Sequence, residues 1–286
     1  MPTFETPQPI AITVEMFLGH VEIIASDRTD TVVEVRPSDG AKKDDVRAAQ
    51  ETEVDFAAGN LTVKAPTWWT KMNILFGANP SIDVTIEAPA GSGLHGTAHM
   101  CRLLVTGELG RCELKCHVGN LQLDKVGPLK LQTSAGNVTV DHVMGGANII
   151  SGTGIVRIGE IDGSAVVKNA NGDSTIREVA GDLQVNAANG NITVERPRGS
   201  VTAKTATGSI RVGDAARGTL RLETATGELE VGIHPGSAAY LDLNTRTGTL
   251  QNLMETAGQP AQGEETVHVY ARNSVGNIII RPATAI

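Results

Sequence analysis

Glycines recur every nine residues through the middle of the chain, and this spacing constrains the fold more than any other feature of the sequence. Between residues 110 and 236 almost every step from one glycine to the next is nine residues long. A period of this kind is typical of architectures in which one short structural unit is stacked many times. The series consists of Gly110, Gly119, Gly127, Gly136, Gly145, Gly154, Gly163, Gly172, Gly181, Gly190, Gly199, Gly208, Gly218, Gly227 and Gly236.

Apolar residues follow these glycines in alternation. The second and fourth positions after most of the glycines are apolar, as at Leu121 and Leu123 or at Ile210 and Val212. A period of two is the signature of a β-strand with one buried face. Each nine-residue unit is therefore predicted to be a short strand followed by a turn, at which glycine adopts a positive φ without steric cost.

A second period of about 18 residues lies on top of the first. Three residues before alternate glycines comes a small, mostly polar side chain, and these side chains are Thr133, Ser151, Asn169, Ala187, Thr205, Thr224 and Thr245. The two nine-residue units of a pair therefore differ, and the full repeat contains two strands. The pattern predicts an all-β protein, a parallel β-solenoid with 18-residue, two-strand coils, in which each strand pairs with its counterpart in the next coil.

The repeat does not cover the whole chain, and three segments are predicted. Residues 1–100 form an irregular N-terminal β capping region with a short helix within 40–51, because the open edge of a solenoid invites aggregation unless it is covered. Residues 101–255 form the β-solenoid. Residues 256–286 form a loop and closing strands that are continuous with the solenoid, since the spacing changes after Gly248.

The repeated phrase, a Thr three residues before a Gly that is followed by alternating apolar residues, resembles a known bacterial family. The chain is similar to the β-strand-repeat family of candidate adhesins, whose members carry a domain of unknown function. The resemblance includes the opening FLGHVEII (17–24), the VTIEAPAGS run (84–92) and the closing SVGNIIIRP (274–282). It implies the β-solenoid fold and an adhesin-like role.

Charge and composition exclude several classes of partner. The net charge is −8 and no cluster of Lys or Arg forms a basic stripe, which argues against nucleic-acid binding. No apolar run approaches the ~18 residues of a membrane span, and the N-terminus lacks the basic and apolar regions of a secretory signal. Three cysteines fit a reducing compartment. We therefore expect a cytoplasmic protein with no cofactor.

Calcium and catalysis are the two chemical hypotheses that a β-solenoid raises first. A calcium-binding β-roll needs an Asp in every turn, whereas here Asp124 and Asp141 are followed by Gly159 and Arg177 at the equivalent positions. Calcium binding is therefore not expected. Asp124 and Asp141 on neighbouring coils leave open an alternative, a polysaccharide hydrolase or lyase on a β-helix. The favoured function is a non-enzymatic scaffold or binding module of unknown ligand.

A group of histidines and cysteines around residues 95–117 suggests a zinc site. His99 and His117 are 18 residues apart, so they are predicted to stack on adjacent coils. Cys101 occurs where the spacing calls for a glycine, two residues from His99. Zinc favours such nitrogen and sulfur ligands, and the predicted ligands are His99, Cys101 and His117. The alternative is that these side chains only fill packing positions.

The segment 65–81, APTWWTKMNILFGANPS, concentrates the aromatic residues of an aromatic-poor chain. It contains Trp68, Trp69 and Phe76, although aromatics make up only 3% of the sequence. One interpretation is a hydrophobic lid over the first coil. The other is an exposed binding loop that mediates self-association or captures a protein partner, because Trp is enriched in interface hot spots.

Overall fold

The structure is a computed structural model that describes residues 1–66, 80–254 and 265–283. These residues form 25 β-strands and one short α-helix. They fall into two compact units, Met1–His142 and Val143–Ile286.

The first unit contains eleven of the described strands and the helix α1 (Lys43–Glu51), which lies within the predicted segment 40–51. The strands are β1 (Thr3–Glu5), β2 (Ala11–Ser26), β3 (Asp30–Pro37), β4 (Glu53–Ala57), β5 (Asn60–Lys64), β6 (Ile82–Pro89), β7 (Gly93–Leu109), β8 (Cys112–Val118), β9 (Leu121–Val126), β10 (Leu129–Ala135) and β11 (Val138–Val143), the last ending at the unit boundary. In the described parts of the chain no helix is both long enough and apolar enough to cross a lipid bilayer.

The second unit contains the remaining strands of the described chain. They are β12 (Ala147–Thr153), β13 (Val156–Ile161), β14 (Ala165–Asn171), β15 (Ser174–Val179), β16 (Leu183–Asn189), β17 (Ile192–Pro197), β18 (Val201–Thr207), β19 (Ile210–Ala215), β20 (Gly218–Thr226), β21 (Leu229–Ile233), β22 (Ala238–Thr247), β23 (Leu250–Asn252), β24 (Thr266–Val275) and β25 (Ile278–Pro282).

Strand pairing confirms the predicted solenoid. In the second unit β12 pairs in parallel with β14, and Ala147 lies opposite Ala165, 18 residues later. The alternate strands β13 and β15 pair in the same way, with Val156 opposite Ser174. In the first unit Leu94 of β7 lies opposite Cys112 of β8. Each coil therefore contributes one strand to each of two series, as the 18-residue period requires.

The alternating apolar residues form the core, and the residues between them face solvent. Ile210 and Val212 are fully buried, whereas Arg211 between them is exposed. Glycines at equivalent positions of successive coils stack in a column, which we call the glycine column. Close packing between the coils, as well as the turn, requires glycine there. Gly208 has a φ of +142°, and a Cβ atom there would lie 2.1 Å from the carbonyl oxygen of Gly190 in the neighbouring coil. Successive coils thus approach each other at this corner more closely than a side chain allows.

The N-terminal region caps the first unit, as predicted, but it also contributes coils. β2 pairs in parallel with β5 and β6 on one side and with β7 on the other, so it lies between strands that follow it in the chain. β4 then pairs antiparallel with β5, and β3 pairs antiparallel with β6. β5 and β6 form the first coil, and an antiparallel strand covers the outer edge of each.

The last strands of the chain, β24 and β25, were predicted to form the closing coil of the solenoid. That prediction is wrong, because β24 pairs in parallel with both β20 and β22, and β25 pairs with both β21 and β23. The C-terminal strands are inserted between coils that precede them in the chain. The terminal coil is formed by β22 and β23, and within the described chain each of these two strands pairs with one neighbour only.

Candidate functional site

The corner of the coil that holds the glycine column also holds the column of small polar residues. In the second unit several of these side chains donate hydrogen bonds to glycine carbonyls of the neighbouring coil. Thr205 Oγ1 donates to the carbonyl of Gly190 at 3.3 Å, and Thr224 Oγ1 donates to that of Gly208 at 2.9 Å. Most of the column is buried, so each bond satisfies polar groups that water cannot reach. The repeated Thr is thus a structural element of the coil.

In the first unit both columns change to cysteine at the same corner. Cys101 lies opposite Gly19, and a Cβ atom at Gly119 on the next coil would meet the Cys101 carbonyl, so Cys101 occupies a glycine position. Cys116 lies opposite Thr133, so it occupies the polar column. Several other coils bring a hydroxyl or an amide to a glycine carbonyl at this corner, as Thr205 and Asn169 do. Here the corner brings two thiols together, with their Sγ atoms 3.3 Å apart.

The thiol pair lies inside the solenoid beside a small cavity. Cys101 is 9% exposed and Cys116 is 4% exposed. The cavity has a volume of about 30 Å³ and is lined almost entirely by apolar side chains, among them Met16, Leu103 and Leu121, together with both cysteines. Space of this size admits about one water molecule, but few polar partners are there to hold it. The corner is therefore incompletely filled next to its two sulfur atoms.

The hydrogen bond between the thiols changes the pKa of both. The pKa of Cys116 is lowered from its usual range, and the contact with the Cys101 thiol is the largest cause. The same bond, together with burial, raises the pKa of Cys101 far above its usual range. Cys112, the third cysteine, is separate from the pair, and burial raises its pKa to about 12. The pair can therefore carry one negative charge but not two.

The imidazoles predicted as zinc ligands lie outside this corner. The rings of His99 and His117 are stacked, with centroids 4.7 Å apart and planes 13° apart, and Phe17 contacts His99 with ring centroids 4.8 Å apart. The 18-residue spacing therefore predicted their proximity correctly. His99 and Met100 are both exposed while Cys101 is buried, so the alternation is interrupted between His99 and Cys101. The structure brings the two imidazoles together outside and places the Cys101 thiol inside.

Zinc binding by His99, Cys101 and His117 stays a prediction. If the site exists, elemental analysis of the purified chain finds stoichiometric zinc, and a His99→Ala/His117→Ala variant loses it, because two of the three ligands are gone. His234→Ala is the matched control, since His234 contacts Asp214 in the other unit. A metal-free protein whose melting temperature is unchanged by a chelator would contradict the prediction.

One of the two carboxylates of the enzymatic alternative, Asp124, has a structural use. Asp124 Oδ2 accepts a hydrogen bond of 3.0 Å from the backbone N–H of Gly107, at the point where the pairing of β7 with β9 shifts register. Gly107 has a φ of +87°, as a β-bulge glycine does. Asp124 thus stabilises the bulge. Neither Asp124 nor Asp141 lines the apolar cavity or the surface groove described next.

A broad groove of about 600 Å³ runs over the surface of the second unit. Its lining residues are Asn186, Ala187, Lys204, Thr205, Ala206, Glu223, Thr224, Ala225, Arg272, Asn273 and Ser274. Glu223 is the one acidic residue in this set, and it is paired with Lys204 at 2.8 Å. Glycoside hydrolysis of the usual kind needs two carboxylates across the substrate. The groove as described has no such pair.

The residues predicted to form a binding loop, Trp68, Trp69 and Phe76, lie outside the described residues. The structure instead exposes aromatic and apolar side chains at the terminal coil of the second unit. Tyr240 is 57% exposed, and Leu250 and Leu253 are 51% and 60% exposed. The sequence contains a signal for this surface that we did not use: both tyrosines of the chain, Tyr240 and Tyr270, lie on the last coils.

The hydrophobic core is only partly covered at the terminal coil. Val269 and Ala271 of β24 are fully buried, whereas Leu241 and Leu243, which lie opposite them on β22, are only half-buried. On the outer face Tyr240 contacts His268 and Tyr270, with ring centroids 5.8 and 6.5 Å apart. The coil therefore presents half-covered core leucines and an aromatic outer face at an edge without a strand partner among the described residues.

Comparison with known proteins places the chain in a family. Solved structures that are similar to it include a candidate adhesin from Parabacteroides merdae, with 11% identity, a TM-score of 0.44, and coverage of 96% of this chain and 94% of that one. Another is a candidate adhesin from Parabacteroides distasonis, with 14% identity, a TM-score of 0.35, and coverage of 98% and 95%. No curated protein matches the chain. The model of the Toastrack DUF4097 family matches residues 9–239, which is most of the sequence, and the chain therefore belongs to the Toastrack DUF4097 family.

Proposed function

We propose that this chain is a non-enzymatic, adhesin-like binding module that joins protein chains by adding a β-strand to its terminal coil. The single observation that carries the proposal is the open edge of β22. A long strand with unpaired backbone groups is a template for pairing with another chain. At the first coil of the other unit, antiparallel strands cover the edges, whereas the described residues leave the β22 edge uncovered.

The backbone of β22 is suited to accept a further strand. The N–H of Ala238 donates to the carbonyl of Glu265, the residue just before β24. Because backbone groups alternate in direction along an extended strand, those of Ala239, Leu241 and Leu243 are directed away from β24. They form a row of donors and acceptors along the edge. Strand addition satisfies this row and covers the half-buried leucines.

The partner that fits the edge best is a second copy of the same chain, paired antiparallel about Leu243. In this register Leu243 faces its own copy, Asp242 faces Asn244, and Tyr240 faces Arg246 on the outer side. Directly opposed residues interact, so each copy's arginine approaches the other's tyrosine ring. The neighbouring register, centred on Asp242, would oppose two like charges and is disfavoured. A two-fold interface repeats each favourable pair twice.

The proposal predicts a dimer that weakens when the Tyr240–Arg246 pair is made repulsive. Tyr240→Lys opposes lysine to arginine at two symmetric places, each worth up to about 1 kcal/mol, so the dimer Kd should rise about tenfold or more. Adding Arg246→Glu opposes lysine to glutamate and should restore the affinity. Lys168→Glu, on the exposed face of β14, changes charge away from the edge and serves as the matched control.

Sedimentation equilibrium of the full chain, from low to high micromolar concentration, measures these constants. A wild-type chain that stays monomeric over this range would refute the second copy as partner. A dimer that Tyr240→Lys weakens no more than Lys168→Glu does would refute the β22 edge as its interface. Recovery in the double variant supports both the edge and the register, because no general loss of stability would be reversed by a second charge change.

A further inference from the structure

We infer that Cys101 and Cys116 form a reversible oxidation site, in which a hydroperoxide converts the two thiols to an intramolecular disulfide. The observation that carries this inference is the 3.3 Å distance between their Sγ atoms at a corner where neighbouring coils pack most closely. The inference is independent of the proposed binding surface, which lies in the other unit.

The distance between the two sulfur atoms is short enough for a disulfide to form after a small movement. The S–S bond is about 2.05 Å long, so the sulfur atoms need to approach by a little over 1 Å. Cys101 and Cys116 lie on β7 and β8, which pair in parallel, so the backbone already holds the two residues on adjacent coils. The small cavity beside both side chains leaves room for the sulfur atoms to rotate. We therefore expect that closure of the disulfide needs mainly movement of the two side chains.

The fold does not need cysteine at either position. Elsewhere in the solenoid the same corner is built by a glycine and a residue such as threonine, as at Gly190 and Thr205, which bond through a hydroxyl and a carbonyl. Two positions that are 15 residues apart in sequence and meet in space are both cysteine. Packing explains a small side chain in the Cys116 column, but it does not explain a thiol on each side of one contact.

Cys112 provides an internal comparison. It is 1% exposed and lies in an inward column between Leu94 and Leu129. Its sulfur is 3.4 Å from the backbone carbonyl of Gly110 and has no thiol partner among the described residues. The inference therefore assigns one disulfide, between Cys101 and Cys116, and leaves Cys112 reduced.

The chemistry balances with a hydroperoxide as the two-electron oxidant. The Cys116 sulfur attacks the O–O bond of hydrogen peroxide, which yields a sulfenic acid and, with the proton, one water molecule. The Cys101 sulfur then attacks the sulfenic sulfur, the S–S bond forms, and the hydroxyl leaves with the Cys101 proton as a second water. Two thiols and one peroxide become one disulfide and two waters. A dithiol reductant reverses the change by thiol–disulfide exchange.

Tryptic digestion separates the three cysteines, which allows a direct test. Cleavage after Lys71, Arg102, Arg111, Lys115 and Lys125 puts the three cysteines on different peptides, which are 72–102, 112–115 and 116–125. The reduced full chain is treated with a stoichiometric amount of hydrogen peroxide and then alkylated and digested without reductant. The expected result is loss of two hydrogen atoms in mass and linkage of peptides 72–102 and 116–125. Dithiothreitol should restore both free thiols, and alkylated Cys112 should remain throughout.

Three variants make the test decisive. Cys112→Ser should keep the linkage, whereas Cys101→Gly and Cys116→Thr should abolish it, and the latter two insert the residues that other coils use at these positions. The oxidised wild type should also melt several degrees above the reduced form, a shift that Cys116→Thr lacks. A disulfide that involves Cys112, a disulfide between two chains, persistence of both thiols, or oxidation of a single cysteine to a sulfinic acid would each overturn the inference.

Discussion

Replacement of Ile210 by Asp is expected to destabilise the solenoid by about 4 kcal/mol or more, a large part of the 5–15 kcal/mol that holds a typical domain folded. Ile210 is fully buried, and its neighbours across the pairing strands, Ile192 and Leu229, are buried as well. A carboxylate there has no partner and loses its hydration. Chemical denaturation of the full chain measures the loss through its transition midpoint.

The matched control is Arg211→Asp, one residue further along β19. Arg211 is exposed and lies 3.6 Å from Glu230, and a surface ion pair of this kind is worth at most about 1 kcal/mol. We therefore expect a small decrease in the transition midpoint. If Ile210→Asp and Arg211→Asp unfold at the same denaturant concentration, the assignment of inward and outward faces is wrong.

Replacement of Gly208 by Ala is expected to cost about 3 kcal/mol or more, although it adds only one methyl group. The new Cβ would meet the Gly190 carbonyl at 2.1 Å, and the φ of +142° is itself unfavourable for alanine. Relief requires two coils to separate, which weakens their strand pairing. Thermal and chemical denaturation both report the loss.

Gly236→Ala separates the two contributions to this cost. Gly236 has a φ of +88°, but a Cβ atom there would meet nothing within 4 Å. Its replacement should therefore show the backbone penalty alone, about 1–2 kcal/mol. Equal destabilisation by Gly208→Ala and Gly236→Ala would mean that close packing of the coils does not explain the glycine column.

The sequence predicted those features of the fold that depend on local spacing. Alternation at Ile210 and Val212 predicts an inward face because successive side chains of a strand point in opposite directions. The 18-residue period predicts register, because equivalent residues must stack. The position of β24 between β20 and β22 follows from neither rule. Pairing between distant segments depends on which edges compete for a strand, and a periodic pattern extrapolated along the chain contains no information about that competition.

For the candidate sites too, the sequence predicted what depends on local spacing and did not predict contacts between distant segments. The spacing of His99 and His117 predicted their stacking, since it is one coil long. The contact between Cys101 and Cys116 was not predicted. The zinc hypothesis placed His99 and Cys101, which are two residues apart, on the same side of the strand. In the structure His99 and Met100 are both exposed and Cys101 is buried. The structure places Cys116 in the column of small residues, and the sequence pattern alone does not show that this column points at the glycine position of the neighbouring coil.

The insertion of β24 and β25 between earlier coils also affects how the protein folds and frays. During synthesis β22 and β23 leave the ribosome before the strands they pair with, so this coil cannot be completed until β24 and β25 have been synthesised. Once folded, the C-terminal strands are held on both sides, and the strands at the edge are connected at both ends. Local opening of the edge therefore releases a closed loop rather than a free tail, which gains less chain entropy and makes progressive unzipping from the terminus unfavourable.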